Sequence, residues 1–286
     1  MTPSPSPRHV LVFDSGIGGL GVVNALRQMG DIALRIDYLA DNAVFPYGEQ
    51  PDEMLSARII SLIHAAVRAG QPDAVIIACN TASTLALGAL RDALTVPFIG
   101  CVPPVRWAAR ETKTGIFAIL ATAATARRPY LAALKEDFAP KEIMIIHGGR
   151  QLADLAERAF VGEAISQDAV RAELDAVFTQ LHGEQVDVIG LGCTHYTFLR
   201  EALQSASPPH VTLLDPAEAV ARQALKILAE QPTHMKDDAS VTNIAGKGRF
   251  MMTAAPCDPG SLRKAIKRFG YEDFSLWDSD KASLPD

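Results

Sequence analysis

Short apolar runs alternate along the chain with longer stretches in which apolar residues recur every three or four positions. The runs HVLVF (9–13), RIDYLA (35–40), DAVIIA (73–78), FIG (98–100), GIFAIL (115–120), IMIIH (143–147), VDVIG (186–190) and VTLL (211–214) read as strands. Between them VVNALRQM (22–29), EMLSARIISLIHAAVRAG (53–70) and SQDAVRAELDAVFTQLHG (166–183) carry the helical period. This alternation predicts α/β architecture with parallel sheets covered by helices on both faces. In such sheets ligands bind beyond the carboxyl ends of the strands, so the residues just after each apolar run are the ones to inspect.

Composition narrows the function classes. A chain of 286 residues with 48% hydrophobic content supports two domains of ordinary size. Net charge is −6 and the Lys and Arg residues are scattered, which argues against nucleic acid as a main partner. No apolar run reaches the roughly 20 residues a membrane-spanning helix needs. The start MTPSPSPRH lacks the apolar core and cleavage pattern of a signal peptide and reads as a disordered tail, so a cytoplasmic location is expected. The four cysteines, Cys79, Cys101, Cys193 and Cys257, form no C-x-x-C or Cys/His cluster, so neither a zinc site nor a disulfide framework is expected.

Two strand ends attract chemistry. The first is VFDSGIGGLG (12–21), whose last six residues spell G-x-G-x-x-G between an apolar run and a helical stretch, with Asp41 ending the next run. That pattern fits a dinucleotide-binding loop and keeps a nicotinamide-dependent oxidoreductase among the readings. Against it, Asp14 would place a negative charge where a pyrophosphate must sit. As an alternative role, Asp14 and Ser15 are helix N-cap candidates.

The second is an internal echo. Asp73 opens DAVIIACNTAS and Asp187 opens DVIGLGCTHYT, and each cysteine falls six residues after its aspartate, before Asn80-Thr81 and Thr194-His195. Two similar halves would thus each carry one thiol at a strand end, where free N–H groups and the positive end of a helix dipole should lower its pKa. Cys79 and Cys193 could then flank one substrate and move a proton from one face of a carbon to the other. His195, beside the second thiol, is singled out among the seven histidines; His9, His64, His147, His182, His210 and His234 are assigned structural roles.

The ordered set FDSGIGGL, PYG (46–48), IACNTAS, GCTHYTFL and LLDPAEAVA resembles the cofactor-independent glutamate racemases, and GRFMMTAAPCDPGSLRKAIKRFG resembles their closing strand and helix. The resemblance implies two doubly wound parallel-sheet domains related by pseudo-symmetry, with the active site in the cleft between them. It divides the chain into residues 1–103 plus 213–286 and an inserted 104–212. It implies two-base interconversion of L- and D-glutamate for peptidoglycan, with no cofactor and no metal, in a homodimer. Cys79 would act on D-glutamate and Cys193 on L-glutamate, with Asp14, His195 and Glu157 assisting. Asp14, Ser15, Tyr47, Gly48, Asn80, Thr81, Thr194 and His195 would hold the substrate. Racemisation of aspartate or another amino acid is the nearest alternative, and a binding protein that keeps the fold without catalysis is another. The chain departs from the family at Gly149-Arg150, where a Cys-Pro pair is common, and at Thr197, where proline usually follows GCTHY. ATAATARRPY (121–130) matches the family's threonine-bearing loop only loosely, so Thr122 and Thr125 are left outside the expected site.

Overall fold

A computed structural model describes residues 7–231 and 248–277; the Pro/Ser start before residue 7 and His234 lie outside the described residues. Among the described residues ten strands form two sheets. The first is built from β1 (Arg8–Asp14), β2 (Leu34–Ala40), β3 (Ala74–Ile77), β4 (Phe98–Gly100), β9 (Phe250–Met252) and β10 (Phe274–Leu276), in the order β10-β9-β2-β1-β3-β4. The second holds β5 (Ile116–Thr122), β6 (Ile143–Gly149), β7 (Val188–Gly192) and β8 (Thr212–Leu214), in the order β6-β5-β7-β8. Every pairing is parallel.

Alternation along the strands gives each sheet two apolar faces. Val10, Val12 and Ile76 pack with Leu20, Val23 and Leu26 on one face of the first sheet, while Leu11, Phe13 and Ile77 pack with Leu55, Ile59 and Leu62 on the other. In the second sheet, Leu120, Ile189 and Leu191 meet Leu155, Leu174 and Leu203, and Phe117 and Ile119 meet Val105 and Leu131 on the opposite face. Strands buried on both faces must be almost continuously apolar, which is why their sequences read as unbroken runs.

The segment β2-β1-β3-β4 has the same spatial order as β6-β5-β7-β8, so the two sheets are pseudo-symmetric. In each, the chain moves outward from its central strand first to one side and then to the other. The crevice this creates lies at the carboxyl ends of β1 and β3 in one sheet and of β5 and β7 in the other. The paired aspartates sit at the opposite ends of the strands: Asp73 Oδ2 accepts the His9 N–H at 2.7 Å, and Asp187 Oδ2 accepts the Lys113 N–H at 2.7 Å. Each ties the start of its cysteine-bearing strand to the start of the central one.

Two local expectations change. The helix expected over 166–183 spans Gln167–Phe178, with Ser166 capping it through the Ala169 N–H, and the chain then turns through His182 at φ 68°. Gly183 backs so closely onto the Val177 and Phe178 carbonyls that a side chain would have no room. The edge strand β10 was not expected; it adds to β9 through only three residues, too few for periodicity to register.

Candidate active site

The central strands deliver their last residues to one place. The Asp14 carboxylate, at the end of β1, is fully buried; its Oδ1 accepts the Gly16 N–H at 3.0 Å and its Oδ2 the Thr194 hydroxyl at 3.0 Å. Burial raises its pKa against the opposing pull of the His195 charge and these two hydrogen bonds. Asp14 does not cap the following helix, Leu20–Met29, whose N-cap is Gly19.

Cys79 follows β3 as the N-cap of helix Asn80–Ala93, with its Sγ 3.6 Å from Ser15 Oγ. The thiolate-favouring groups expected at a helix start are present in the Ala82 N–H and the Ser15 hydroxyl. Burial and the neighbouring Asp14 outweigh them, and the thiol is pushed up to about 12. The expected lowering at this site is therefore reversed: a closed, water-poor site costs the charged form more than one helix end returns. Cys193 follows β7 as the N-cap of a 3₁₀ turn, Thr194–Leu199. Its Sγ lies 3.9 Å from His195 Nδ1, while His195 Nε2 lies 2.9 Å from Glu157 Oε1. Burial opposes the charged imidazolium, yet the hydrogen bonds to Cys193 and Glu157 hold the His195 pKa well above its ordinary value. One thiol is thus kept protonated and the other faces an imidazolium.

Asn80, only 3% exposed, has neither a donor partner nor an acceptor partner for its side-chain amide. A buried amide left unpaired in this way is a group waiting for a ligand or a water. Thr81 Oγ1 lies 3.2 Å from Thr125 Oγ1, which in turn accepts from Thr122 Oγ1 at 3.0 Å. Tyr47 and Gly48 begin a short 3₁₀ turn whose first N–H groups have no helical acceptor. The Tyr47 hydroxyl, however, donates to Asp41 Oδ2 at 2.7 Å, so this residue offers the cavity its ring and backbone and not its hydroxyl.

Of the expected residues, Ser15, Tyr47, Gly48, Cys79, Asn80, Thr81, Cys193, Thr194 and His195 line one enclosed cavity of about 20 Å3. Asp14 and Glu157 stand behind it, acting through Thr194 and His195. The cavity also contains Thr122, which sequence reasoning excluded. Thr122 ends β5, the counterpart of β1, so its position matches that of Asp14; recognising the repeated strand order would have found it. A larger groove of about 450 Å3 near Trp107 and Phe138 is lined by no cysteine, histidine or carboxylate. Among the described residues no group of three or more His, Cys, Asp or Glu could hold a metal ion, and no helix is long and apolar enough to cross a membrane.

The glycine-rich turn is closed by protein. The Gly16 N–H is spent on Asp14 and the Ile17 N–H on Glu157 Oε1 at 3.0 Å. A Cβ on Gly18 would stand 2.6 Å from His195 Nδ1, and one on Gly16 would collide with Glu157. These glycines let the two halves approach each other, and a pyrophosphate would find the Gly16 and Ile17 N–H groups occupied.

Comparisons with known proteins agree with this geometry. Residues 21–224 match the family model described as Asp/Glu/Hydantoin racemase. The chain is 50% identical to the glutamate racemase of Granulibacter bethesdensis over 219 residues, 77% of this chain and 78% of that one. It is 39% identical to the glutamate racemase of Brucella anthropi over 246 residues, 84% and 88% of the two chains. The crystal structure of Escherichia coli glutamate racemase in complex with L-glutamate and the activator UDP-MurNAc-ala superposes with a TM-score of 0.84 at 33% identity, covering 95% of this chain and 98% of that one. With two pseudo-symmetric parallel sheets that converge on a buried cysteine pair, and with a family match across most of its length, the chain belongs to the Asp/Glu/hydantoin racemase family.

Proposed function

We propose that this protein interconverts L- and D-glutamate without a cofactor, using Cys79 and Cys193 as the two bases, and so supplies D-glutamate for peptidoglycan. The observation that carries this reading is the convergence of two buried thiols, one from each sheet, on a single enclosed cavity. Cys193 takes the α-proton of L-glutamate while the Cys79 thiol gives its proton to the opposite face; for D-glutamate the roles exchange. Inversion needs one thiol and one thiolate; burial keeps the Cys79 thiol protonated, and His195 Nδ1, 3.9 Å from Cys193 Sγ, is placed to exchange a proton with the second sulfur. Asn80, Thr81, Thr194 and the free N–H groups at the helix starts receive the substrate's polar ends and the charge that develops on its carboxylate.

The cavity has room for about one water, so glutamate can enter only when the two halves part. Hydrogen bonds between Thr194 and Asp14, Ile17 and Glu157, and Thr81 and Thr125 must then open, and their closure around the substrate excludes water. Purified protein incubated with L- or D-glutamate is expected to bring either to zero optical rotation. No loss of rotation sinks the reading, and faster turnover of aspartate moves it to the neighbouring specificity. Growth of a D-glutamate auxotroph carrying this gene tests the cell-wall role, and light scattering tests the homodimer that the family resemblance suggests.

Gly18→Ala is expected to lower kcat about 100-fold, because the added methyl group displaces Thr194 and His195 from closed geometry. Unchanged kcat in the optical assay would show that this close approach is not needed for turnover.

A further inference from the structure

The cavity wall formed by Tyr47 and Gly48 belongs to a loop whose placement depends on one carboxylate. Asp41, directly after β2, is fully buried, and its N–H donates to the Asp14 carbonyl at 2.8 Å. Its Oδ1 accepts Arg58 Nη2 at 2.6 Å and the Thr253 hydroxyl at 2.7 Å. Its Oδ2 accepts the Tyr47 hydroxyl and Arg58 Nε, both at 2.7 Å. Arg58 sits on helix Asp52–Gly70 and meets the carboxylate with both arms of its fork, an arrangement no lysine reproduces. Thr253 follows β9, and the same segment is zipped to the loop through Asn42 Nδ2 to the Ala254 carbonyl at 2.9 Å and the Ala254 N–H to Asn42 Oδ1 at 3.0 Å.

Inside the cavity the loop's own anchors are apolar contacts: the Phe45 ring, 5.2 Å from the His195 ring, the Tyr47 ring, and Gly48 lying close enough to Thr122 that a Cβ would touch its side chain at 3.4 Å. Without Asp41 the Tyr47 hydroxyl would be a buried donor with no acceptor, and the loop would lose its side-chain link to helix Asp52–Gly70, keeping the Ala43–Thr253 and Asn42–Ala254 hydrogen bonds to the segment after β9.

We propose that Arg58, acting through Asp41, is a positioning residue that holds Tyr47 and Gly48 against the substrate and thereby sets affinity for glutamate without entering the proton transfer. The proposal rests on the glutamate-racemase reading for its kinetic arm and not for its structural one. Arg58 touches neither thiol, its side chain is 32% exposed and its hydrogen bonds go to Asp41, so its loss is expected to leave the cysteines and Glu157 in place and to reach His195 only through the Phe45 ring. The inference also assigns a task to the returning C-terminal strand, which supplies Thr253 to the same carboxylate.

The test compares wild type, Arg58→Lys, Arg58→Met and Thr253→Val. In the racemisation assay KM is expected to rise about tenfold or more in Arg58→Met and by less in Arg58→Lys and Thr253→Val, with kcat within about threefold of wild type. Free guanidinium at millimolar concentration, below the range that unfolds proteins, is expected to recover part of the Arg58→Met loss through the exposed side of the pair. Hydrogen exchange followed by mass spectrometry needs no substrate: amides in 42–50 should exchange faster in Arg58→Met, while those in 74–93 stay unchanged. Unaltered exchange in 42–50, or a fall in kcat with KM constant, overturns the proposal. If Arg58→Met does not fold, Arg58→Lys and Thr253→Val carry the same comparison. If wild type does not racemise glutamate, the exchange result still decides whether Arg58 holds the loop.

Discussion

Cys79→Ser and Cys193→Ser are each expected to reduce racemisation of both glutamate enantiomers by about a thousandfold, within the range that a positioned acid or base supplies. A serine hydroxyl in either place is far too weak an acid to be deprotonated at neutral pH, and inversion needs both groups. The two directions must fall together. L- and D-glutamate have equal free energies in water, so kcat/KM is the same for both in any variant, and steady-state rates alone cannot assign a cysteine to an enantiomer. Solvent exchange can. In deuterium oxide Cys79→Ser keeps Cys193 and should exchange the α-hydrogen of L-glutamate without inverting it, while Cys193→Ser should do so only with D-glutamate. Nuclear magnetic resonance of the α-proton measures both. Full racemisation by either single variant would sink the two-base mechanism, and exchange of the opposite enantiomer would reverse the assignment.

Burial explains why local reasoning fell short on Cys79. The strand ends, the cysteine echo and the residues facing the cavity are written locally, because a continuous apolar run followed by small polar residues has few other outcomes in a parallel sheet. The Cys79 pKa is not local: it depends on how completely the second sheet closes over the first, which one segment does not encode. Tyr47, expected to hold substrate, turns its hydroxyl away for a related reason, since its acceptor, Asp41, was placed only as the acidic residue following the glycine pattern. Glu157 is instructive in the other direction. Despite Gly149-Arg150 in place of the family's Cys-Pro pair, it meets His195, because helix Leu152–Phe160 buries Leu152, Leu155 and Ala156 and so turns Glu157 toward the cleft. Thr197, the second departure, makes a hydrogen bond to Asp215 at 2.8 Å that a proline could not, linking the 3₁₀ turn after Cys193 to the segment after β8.

Asp14→Asn is expected to separate activity from stability, with activity falling about 100- to 10,000-fold and the folded state becoming no less stable at neutral pH. Asparagine keeps an oxygen for the Gly16 N–H, and the Thr194 hydroxyl can rotate from donating to accepting, so the turn keeps its hydrogen bonds. What disappears is a carboxylate whose pKa burial has raised. A raised carboxyl pKa means that the folded protein binds the proton more tightly than the unfolded chain, so the native carboxylate lowers stability once pH exceeds both values. Below the unfolded value, near 3.8, both states are protonated and that penalty vanishes. The stability gain of Asp14→Asn should therefore be largest at neutral pH and shrink as pH falls toward 4, read as the difference in Tm between the two proteins. Activity moves the other way because the variant has no charge beside the Cys79 and Ser15 pair with which to orient an ammonium group or assist proton removal. A variant that retains kcat but melts well below wild type at neutral pH would return Asp14 to a structural role in the turn. Lost activity with an equal or higher Tm would identify a buried charge kept for chemistry against the interest of the fold.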